Sequence, residues 1–180
     1  MSVVDVAARA DVSKPTLFKY FPTKEDLVVH RFADHLTESS TVVTERPPGM
    51  SPVDALHRHF VDGLAERDPI TGLNDDRAVL DFHDLVYSTP GLTARVGRYL
   101  AQAEEALAES LADALDEGSP EITAALLAGQ VIATQRILAS ANRRRIVSGR
   151  SADEVYPEAV ADADHGFALL RGRLSKSAGR

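Results

Sequence analysis

The stretch "VSKPTLFKYFPTKEDL" (Val12 to Leu27) decides the fold of the N-terminal part of the chain. Ser13 is a favourable N-cap residue, and Pro15 is tolerated in the first turn of a helix. We therefore predict a short helix that begins after Ser13 and runs to about Phe21. Pro22 ends this helix because proline cannot continue the backbone hydrogen bonding.

Helices are expected on both sides of this short helix. Apolar residues at helical spacing between Val3 and Ala10 predict a preceding helix, which residues 10–12 interrupt with a turn. On the other side, Thr23 and the acidic residues after it predict the start of a longer helix that continues through Leu36. Two short helices joined by such a turn form the unit that lays its second helix in the major groove of DNA.

The residue types of the second helix suit that task. Val12 and Leu17 are expected to face inward, whereas the hydroxyl and ammonium groups of the helix remain outside and can meet base edges or phosphates. Lys24, at the start of the next helix, would add a phosphate contact near the positive end of the helix dipole. Phe18 and Phe21 are interpreted as core residues.

Charge is distributed unevenly along the chain. The formal net charge is −7, but the segment from Ser13 to Lys24 holds three lysines and no acid, so the rest of the chain carries −10. A compact basic spot on an acidic body can attract DNA phosphates locally. The alternative is that the three lysines are simply solvated.

Composition limits the class of protein. The chain has 180 residues, of which 44% are hydrophobic and 26% charged, and it contains no cysteine. It therefore has no disulfide framework, which fits a reducing compartment, and we expect a soluble, cytoplasmic protein. We interpret the N-terminus as lacking a secretory signal, and no uninterrupted apolar run reaches the length of a membrane-spanning helix.

Helical periodicity without sustained strand patterns predicts an all-α fold. The segment "ERPPGMSP" (Glu45 to Pro52) is the clearest linker. We therefore predict a DNA-binding domain over residues 1–45 and a ligand-binding and dimerisation domain over residues 46–180. Further helices are expected at Pro52 to Glu66, Asp75 to Tyr87, Leu92 to Asp116, Ser119–Pro120 to Ala141, and Pro157 to about Leu174, with a capping-box spacing at Ser151 to Glu154.

The segment "VVDVAARADVSKPTLFKYFPTKEDL" (Val3 to Leu27) resembles the TetR family of bacterial transcriptional regulators. The resemblance implies a homodimer that binds a palindromic operator, usually represses, and releases DNA when a small-molecule effector enters the C-terminal domain. It implies neither a cofactor nor a metal ion. The DNA-binding residues carried over by position are Ser13, Lys14, Pro15, Thr16, Lys19, Tyr20 and Lys24.

The chain departs from the family pattern at three places. Phe18 stands where the family often has tyrosine, and Asp11 replaces a common turn glycine, although aspartate tolerates left-handed backbone. The family's first helix is missing, so either the true start lies upstream or the DNA-binding head is truncated. The alternative function is therefore a helical ligand-binding or protein-interaction module without competent DNA binding.

The last two predicted helices offer more apolar surface than one mutual contact uses. This excess favours a homodimer in which each chain contributes both helices, and the alternative is an ordinary bundle within one chain. The predicted interface residues are Ile122, Leu126, Ala159, Ala163, Gly166, Phe167 and Leu170.

The helices after the linker also supply candidates for a small-molecule pocket. Their aromatic and polar residues would suit an aromatic or acyl molecule with a polar group. The candidates are Phe60, Phe82, Tyr87, Tyr99, Gln130 and Arg136.

Two groups of residues raise the alternative of a metal-dependent enzyme. His57 and His59 would point to different sides of a helix, and His83 would point away from Asp81 and Asp84. The sequence also has no phosphate-binding loop and no nucleophile elbow, so we predict that the protein is not an enzyme.

Overall fold

Helices make up the regular structure of the protein in the computed structural model, which describes residues 7–35, 37–115 and 122–177. The side chains of Lys14 and of residues 31–34 and 172–177 lie outside this description. Over the described ranges no strand occurs, which confirms the all-α prediction. Residues 7–9 are helical and are followed by α1 (Lys14–Tyr20), α2 (Lys24–Asp34), α3 (Glu38–Thr44), α4 (Pro52–Ala65), a 3₁₀ turn (Pro69–Thr71), α5 (Arg77–Ser88), α6 (Pro90–Ala114), α7 (Ile122–Val147) and α8 (Ala152–Ser177).

Local capping explains where several helices begin. Ser51 accepts a hydrogen bond from the Asp54 amide at 3.1 Å, and Pro52 occupies the first position of α4. Ser151 and Glu154 form the predicted capping box, since each side chain accepts a hydrogen bond from the other residue's amide. These caps satisfy backbone donors that a helix start leaves without an intrahelical partner.

The main core lies between α3, α4, α6, α7 and α8. It contains Leu56, Leu64, Leu107, Leu111 and Phe167, which are all fully buried or nearly so. Each such side chain contributes about 1.5–3 kcal/mol through burial. The sequence of α6 predicts an apolar stripe three to four residues apart, and the structure confirms it, because its members are buried or pack against a core: Leu92, Val96, Leu100, Ala103, Leu107, Leu111 and Leu115.

A second, smaller core joins the N-terminal helices to the rest of the chain. We call it the junction core; its buried members are Val29 of α2, Val86 of α5, and Leu92, Val96 and Tyr99 of α6. Through it, α2 packs against the first half of α6. The position of α2 therefore depends on the body formed by the later helices.

Three predicted helix boundaries need correction. Helix α7 runs to Val147, six residues beyond the predicted end at Ala141. The helix from Thr23 ends at Asp34, and a separate short helix, α3, follows it. The last helix starts at Ala152, so Pro157 lies inside it rather than restarting it. The capping box starts α8 more than a turn before the proline, whose ring removes one backbone hydrogen bond without ending the helix.

Other predictions fall outside the described residues or remain predictions. The predicted contributions of Val3 and Leu36, and the helix boundaries at Asp116 and Ser119–Pro120, lie in segments that the structure does not describe. The division at residue 45 stays a prediction. Val43 of α3, which precedes that division, is buried in the main core.

Helix α7 has an unusually apolar surface for its degree of burial. By length and composition alone it could cross a membrane, a test that core helices of soluble proteins also pass. Only 28% of the most apolar 18-residue stretch of this helix is buried inside the chain. Ile122, Leu126 and Ile137 are exposed on one face of this helix.

The predicted subunit-interface residues separate into two groups. Ile122 and Leu126 are exposed and Gly166 is half-buried. The remaining four are buried in the chain's own main core, and their assignment to a subunit interface stays a prediction: Ala159, Ala163, Phe167 and Leu170. In the structure, α8 packs against α4 and α7 of the same chain.

Candidate nucleic-acid interface

A tight left-handed turn precedes α1. The Val12 amide donates to the Ala7 carbonyl at 3.1 Å, and the Asp11 amide donates to the Ala8 carbonyl at 3.3 Å. Asp11 has a φ of 52°, so it occupies the left-handed position of a Schellman motif. This confirms the expectation that aspartate can adopt the left-handed backbone at this turn position, where glycine is common.

The start of α1 is fixed by hydroxyl groups. Ser13 Oγ accepts a hydrogen bond from the Thr16 amide at 3.2 Å, and the two side-chain oxygens lie 2.7 Å apart. Pro15 sits in the first turn, where its missing N–H costs no intrahelical bond. The helix therefore begins with two exposed hydroxyls held near its N-terminus.

One side of α1 is anchored and the other is open. Leu17 is buried, as is Ala7 of the preceding helical residues, so this side of α1 packs inside the protein. Tyr20 is 71% exposed. The predicted contact residues of this helix whose side chains are described are all exposed: Ser13, Pro15, Thr16, Lys19 and Tyr20.

Three other predictions concern neighbouring positions. Val12 is 38% exposed, so its predicted inward orientation is wrong. Phe18 and Phe21 are half-buried, in keeping with a packing role. The ring of Phe21 contacts that of His30 edge-on, with centroids 5.7 Å apart. Lys14 lies in α1, but its side chain is outside the described residues.

Lys24 opens α2 beside this surface. Its ammonium is 3.7 Å from the Glu25 carboxylate, and its side chain is 76% exposed. Such an exposed ion pair contributes little to the stability of the fold, and it leaves the Lys24 ammonium available to a phosphate. Lys24 therefore extends the exposed cationic and hydroxyl surface of α1 to the next helix.

The start of α2 is tied to the body by Asp26. Asp26 Oδ2 accepts hydrogen bonds from the Thr23 amide and hydroxyl at 2.9 and 2.7 Å. Its other oxygen, Oδ1, accepts from the Tyr99 hydroxyl at 2.8 Å and from Arg95 Nε. Burial raises the pKa of Asp26, but the hydrogen bonds from Thr23, Tyr99 and Arg95 outweigh it and hold this pKa below its ordinary value.

Sequence reasoning missed this connection. The spacing of Thr23 and Asp26 is that of a capping box and could have identified the local half. The other half links Asp26 to residues 69 and 73 positions later, for which a single sequence offers no signal.

The aromatic residues predicted for an effector pocket are spread over the body. Phe60 packs in the main core, with its ring centroid 6.1 Å from that of Phe167. Phe82 and Tyr99 belong to the junction core. Tyr87 is half-exposed on α5.

The two polar pocket candidates lie on α7. Arg136 is exposed, and Gln130 lines an open groove of about 480 Å³ between α7 and α8. Ile137 and Leu169 line the same groove with His165. Of the six candidates, Gln130 alone lines this groove.

The histidines that raised a metal site have other partners. His57 contacts Asp164 at 2.8 Å and Arg171 at 2.9 Å, whereas His59 contacts Glu38 at 3.0 Å. Among the described residues, no group of three potential ligands is arranged to hold a metal ion.

The second metal candidate is also divided. Asp81 pairs with Arg77 at 3.0 Å, and Asp84 is exposed. His83 is buried, and burial together with the Arg143 charge lowers its pKa.

The geometry defines a class of protein, and a family comparison agrees with it. A short helix with one buried side and an exposed face of hydroxyls and a lysine is typical of the recognition element of a helix-turn-helix DNA-binding protein. Residues 1–30 match the family model described as "Bacterial regulatory proteins, tetR family". The N-terminal segment of this chain is thus similar to the tetR family, and the match supports a transcriptional regulator with a DNA-binding helix-turn-helix. Searches of the curated proteins and of the solved structures found no match.

Proposed function

We propose that the protein is a homodimeric repressor that binds a twofold-symmetric operator and releases it when a small molecule binds the body. The observation that carries this proposal is the exposed face of α1, anchored from behind by Leu17 and continued by Lys24. The residues proposed to contact DNA are Ser13, Lys14, Pro15, Thr16, Lys19, Tyr20 and Lys24. Repression acts on chromosomal DNA, which places the protein in the cytoplasm.

Different atoms would perform different parts of recognition. The hydroxyls of Ser13 and Thr16 are already oriented by their mutual contact and suit phosphate or base-edge acceptors. Lys14 would reach guanine acceptors, and Lys24 would neutralise a phosphate. Tyr20 presents a phenol at the end of an exposed ring, which suits a backbone phosphate.

The uncovered face of α7 and α8 supports a second copy of the chain as the dimer partner. Ile137 and Leu169 are 58% and 59% exposed, and both line the groove between these helices. Gly166 allows close packing of α8 on α7, since a Cβ there would lie 3.1 Å from the Thr134 methyl. A four-helix interface from two copies would cover this apolar surface.

Release of DNA on effector binding requires that the helices from α3 onward, the body, influence the N-terminal helices α1 and α2, the head. The contacts of Asp26 and the junction core join α2 to α5 and α6, which supports such an influence. The effector pocket formed from the six predicted residues stays a prediction. Of these, Phe82 and Tyr99 already pack in the junction core, beside α2.

The experiment is selection of binding sites from a random pool of duplex DNA with the full chain. The proposal expects enrichment of a palindromic sequence whose half-sites lie about one helical turn or slightly more apart. Enrichment of no sequence would contradict it and favour a helical ligand-binding or protein-interaction module. A reporter placed downstream of the enriched site then tests repression, which predicts lower expression when the protein is present.

A further inference from the structure

The carboxylate of Asp26 divides its two oxygens between the head and the body. Oδ2 serves the N-terminus of α2 through Thr23, at 2.7 and 2.9 Å. Oδ1 serves the body through the Tyr99 hydroxyl, at 2.8 Å, and through Arg95. Capping of α2 needs only the first oxygen, so the second makes a connection that the helix itself does not require.

The hydrogen bonds of Asp26 to Arg95 and Tyr99 constrain the orientation of α2 on the body. Asp26 is only 2% exposed, and the Arg95 guanidinium lies 4.8 Å from the centroid of the Tyr99 ring. Among the described residues, α2 also meets the body through the apolar junction core, where Val29 meets Val86 and the start of α6. Apolar contacts have no preferred direction, whereas hydrogen bonds weaken steeply when their angles change. Asp26 therefore fixes the orientation that the apolar contact leaves open.

We propose that Asp26 is a positioning residue for operator recognition: through Arg95 and Tyr99 it sets the orientation of the helix-turn-helix on the body. In a dimer, this orientation determines the separation of the two α1 helices and therefore the preferred spacing of the half-sites. The inference rests on the proposed function, because it requires a dimer that reads two half-sites.

The consequence for binding is specific. A head that is free to rotate still binds one half-site, because α1 and Lys24 are unchanged. It binds the second half-site less well, since the effective concentration of the second head at its site falls. The affinity for the whole palindrome should therefore decrease and the dependence on half-site spacing should weaken.

The test uses duplexes selected by the wild-type chain from a random pool. Anisotropy titrations compare the selected palindrome, a single half-site, and palindromes with one or two base pairs added or removed. Arg95→Met removes the donors and keeps the length of the side chain, and Tyr99→Phe removes one hydroxyl. Arg98→Met is the control, since Arg98 is an exposed arginine of the same helix.

We expect Arg95→Met to weaken binding to the palindrome about tenfold and to leave binding to the half-site within about twofold. Tyr99→Phe should also weaken binding to the palindrome more than binding to the half-site, by a smaller factor. If Arg95→Met does not fold, the Tyr99→Phe variant provides the test. Both variants should also lose the spacing preference of the wild type, and Arg98→Met should keep it.

Equal losses on palindrome and half-site, or an unchanged spacing preference, would overturn the positioning role while leaving the proposed function intact. If the wild-type chain selects no sequence, the proposed function fails and this inference fails with it. The two failures are therefore distinguishable.

Discussion

Glu38 of α3 and His59 of α4 are joined by a hydrogen bond of 3.0 Å between Oε1 and Nε2. The other oxygen of Glu38 lies 2.5 Å from Nδ1 of His35, so one carboxylate serves two imidazoles. Hydrogen bonds from His35 and His59 lower the pKa of Glu38 to about 2. The hydrogen bond to Glu38 outweighs burial and raises the pKa of His59, with Asp68 and Asp62 acting in the same direction.

These shifts predict a stability contribution that depends on pH. The contribution of His59 is complete below 6.5, its ordinary pKa, and is lost as the pH rises through its higher folded value. The contribution of Glu38 is complete above 4.5, its ordinary pKa, and is lost as the pH falls toward about 2. The pair should therefore stabilise the protein most between these ordinary values.

Urea denaturation across this range measures the effect. Glu38→Gln should lower the free energy of unfolding by about 1 kcal/mol inside the window and by less outside it, because the charged hydrogen bond is removed. Asp81→Asn is the control, since Asp81 forms an exposed pair within one helix. A loss that is equal at all pH values would exclude the charge of Glu38 as the cause.

The left-handed turn at Asp11 predicts a sharp dependence on residue type. Asp11→Val should destabilise the turn by about 1–3 kcal/mol, because a β-branched residue is strained at positive φ. Asp11→Gly should have an effect within about 0.5 kcal/mol, since relief of strain and greater unfolded-state entropy oppose each other. Ala10→Val, the same residue one position earlier, should be milder.

Hydrogen exchange of the Val12 amide, which closes the turn, measures this prediction. Exchange should accelerate in the Asp11→Val variant. Similar exchange in the two valine variants would show that the conformation of Asp11 does not control the turn.

Gly72 is expected to be among the least replaceable residues of the body. Its φ is 71°, and a Cβ added there would lie 2.0 Å from the backbone oxygen of Ala139. Gly72→Ala should therefore cost more than about 3 kcal/mol, because backbone must move and the strain of positive φ is added. Gly97→Ala, in the middle of α6 with open space around it, should instead stabilise by about 0.5–1 kcal/mol. Thermal unfolding of both variants checks this, and equal effects would contradict it.

The exposed groove predicts which substitutions separate the subunits. Ile137→Glu and Leu169→Glu should each weaken dimerisation at least about tenfold, because an unpaired charge would be buried between subunits. Leu85→Glu is the control, because Leu85 is also about half exposed on α5, away from the groove. Ala163→Arg should unfold the chain itself, since Ala163 is buried in the main core.

Sedimentation velocity separates these outcomes. Dimers that persist unchanged in the Ile137 and Leu169 variants would place the subunit interface elsewhere. Dissociation by Leu85→Glu alone would move it to α5.

Features set by neighbouring residues could be predicted from the sequence. The turn at Asp11, the cap at Ser13 and the capping box at Ser151 depend on a few adjacent groups, and the structure has all three. The short helix α3 was missed because its serine and threonine residues favour caps and turns over helix interiors. The sequence identified apolar surface on α8 but not the neighbouring helices, α4 and α7, that cover part of it.

Interactions between distant segments could not be predicted. In the sequence, Asp26 has the features of an ordinary acidic residue in the first turn of a helix. Only folding brings Arg95 and Tyr99 to its carboxylate. The pocket assignment stays a prediction for the same reason, since residue type alone does not tell which side of each helix faces a common space.

The central claim, that α1 reads bases while the start of α2 holds phosphates, is tested most directly by comparing Lys14→Ala with Lys24→Ala. The measurement is anisotropy titration of both variants against the selected palindrome and a scrambled duplex at several salt concentrations. Lys24→Ala should weaken binding to both duplexes alike and reduce the salt slope by about one unit for each phosphate that is no longer neutralised. Lys14→Ala should cost roughly 1–3 kcal/mol on the palindrome alone and relax the preference at one position of each half-site. Equal losses on both duplexes for both variants would contradict base reading by α1.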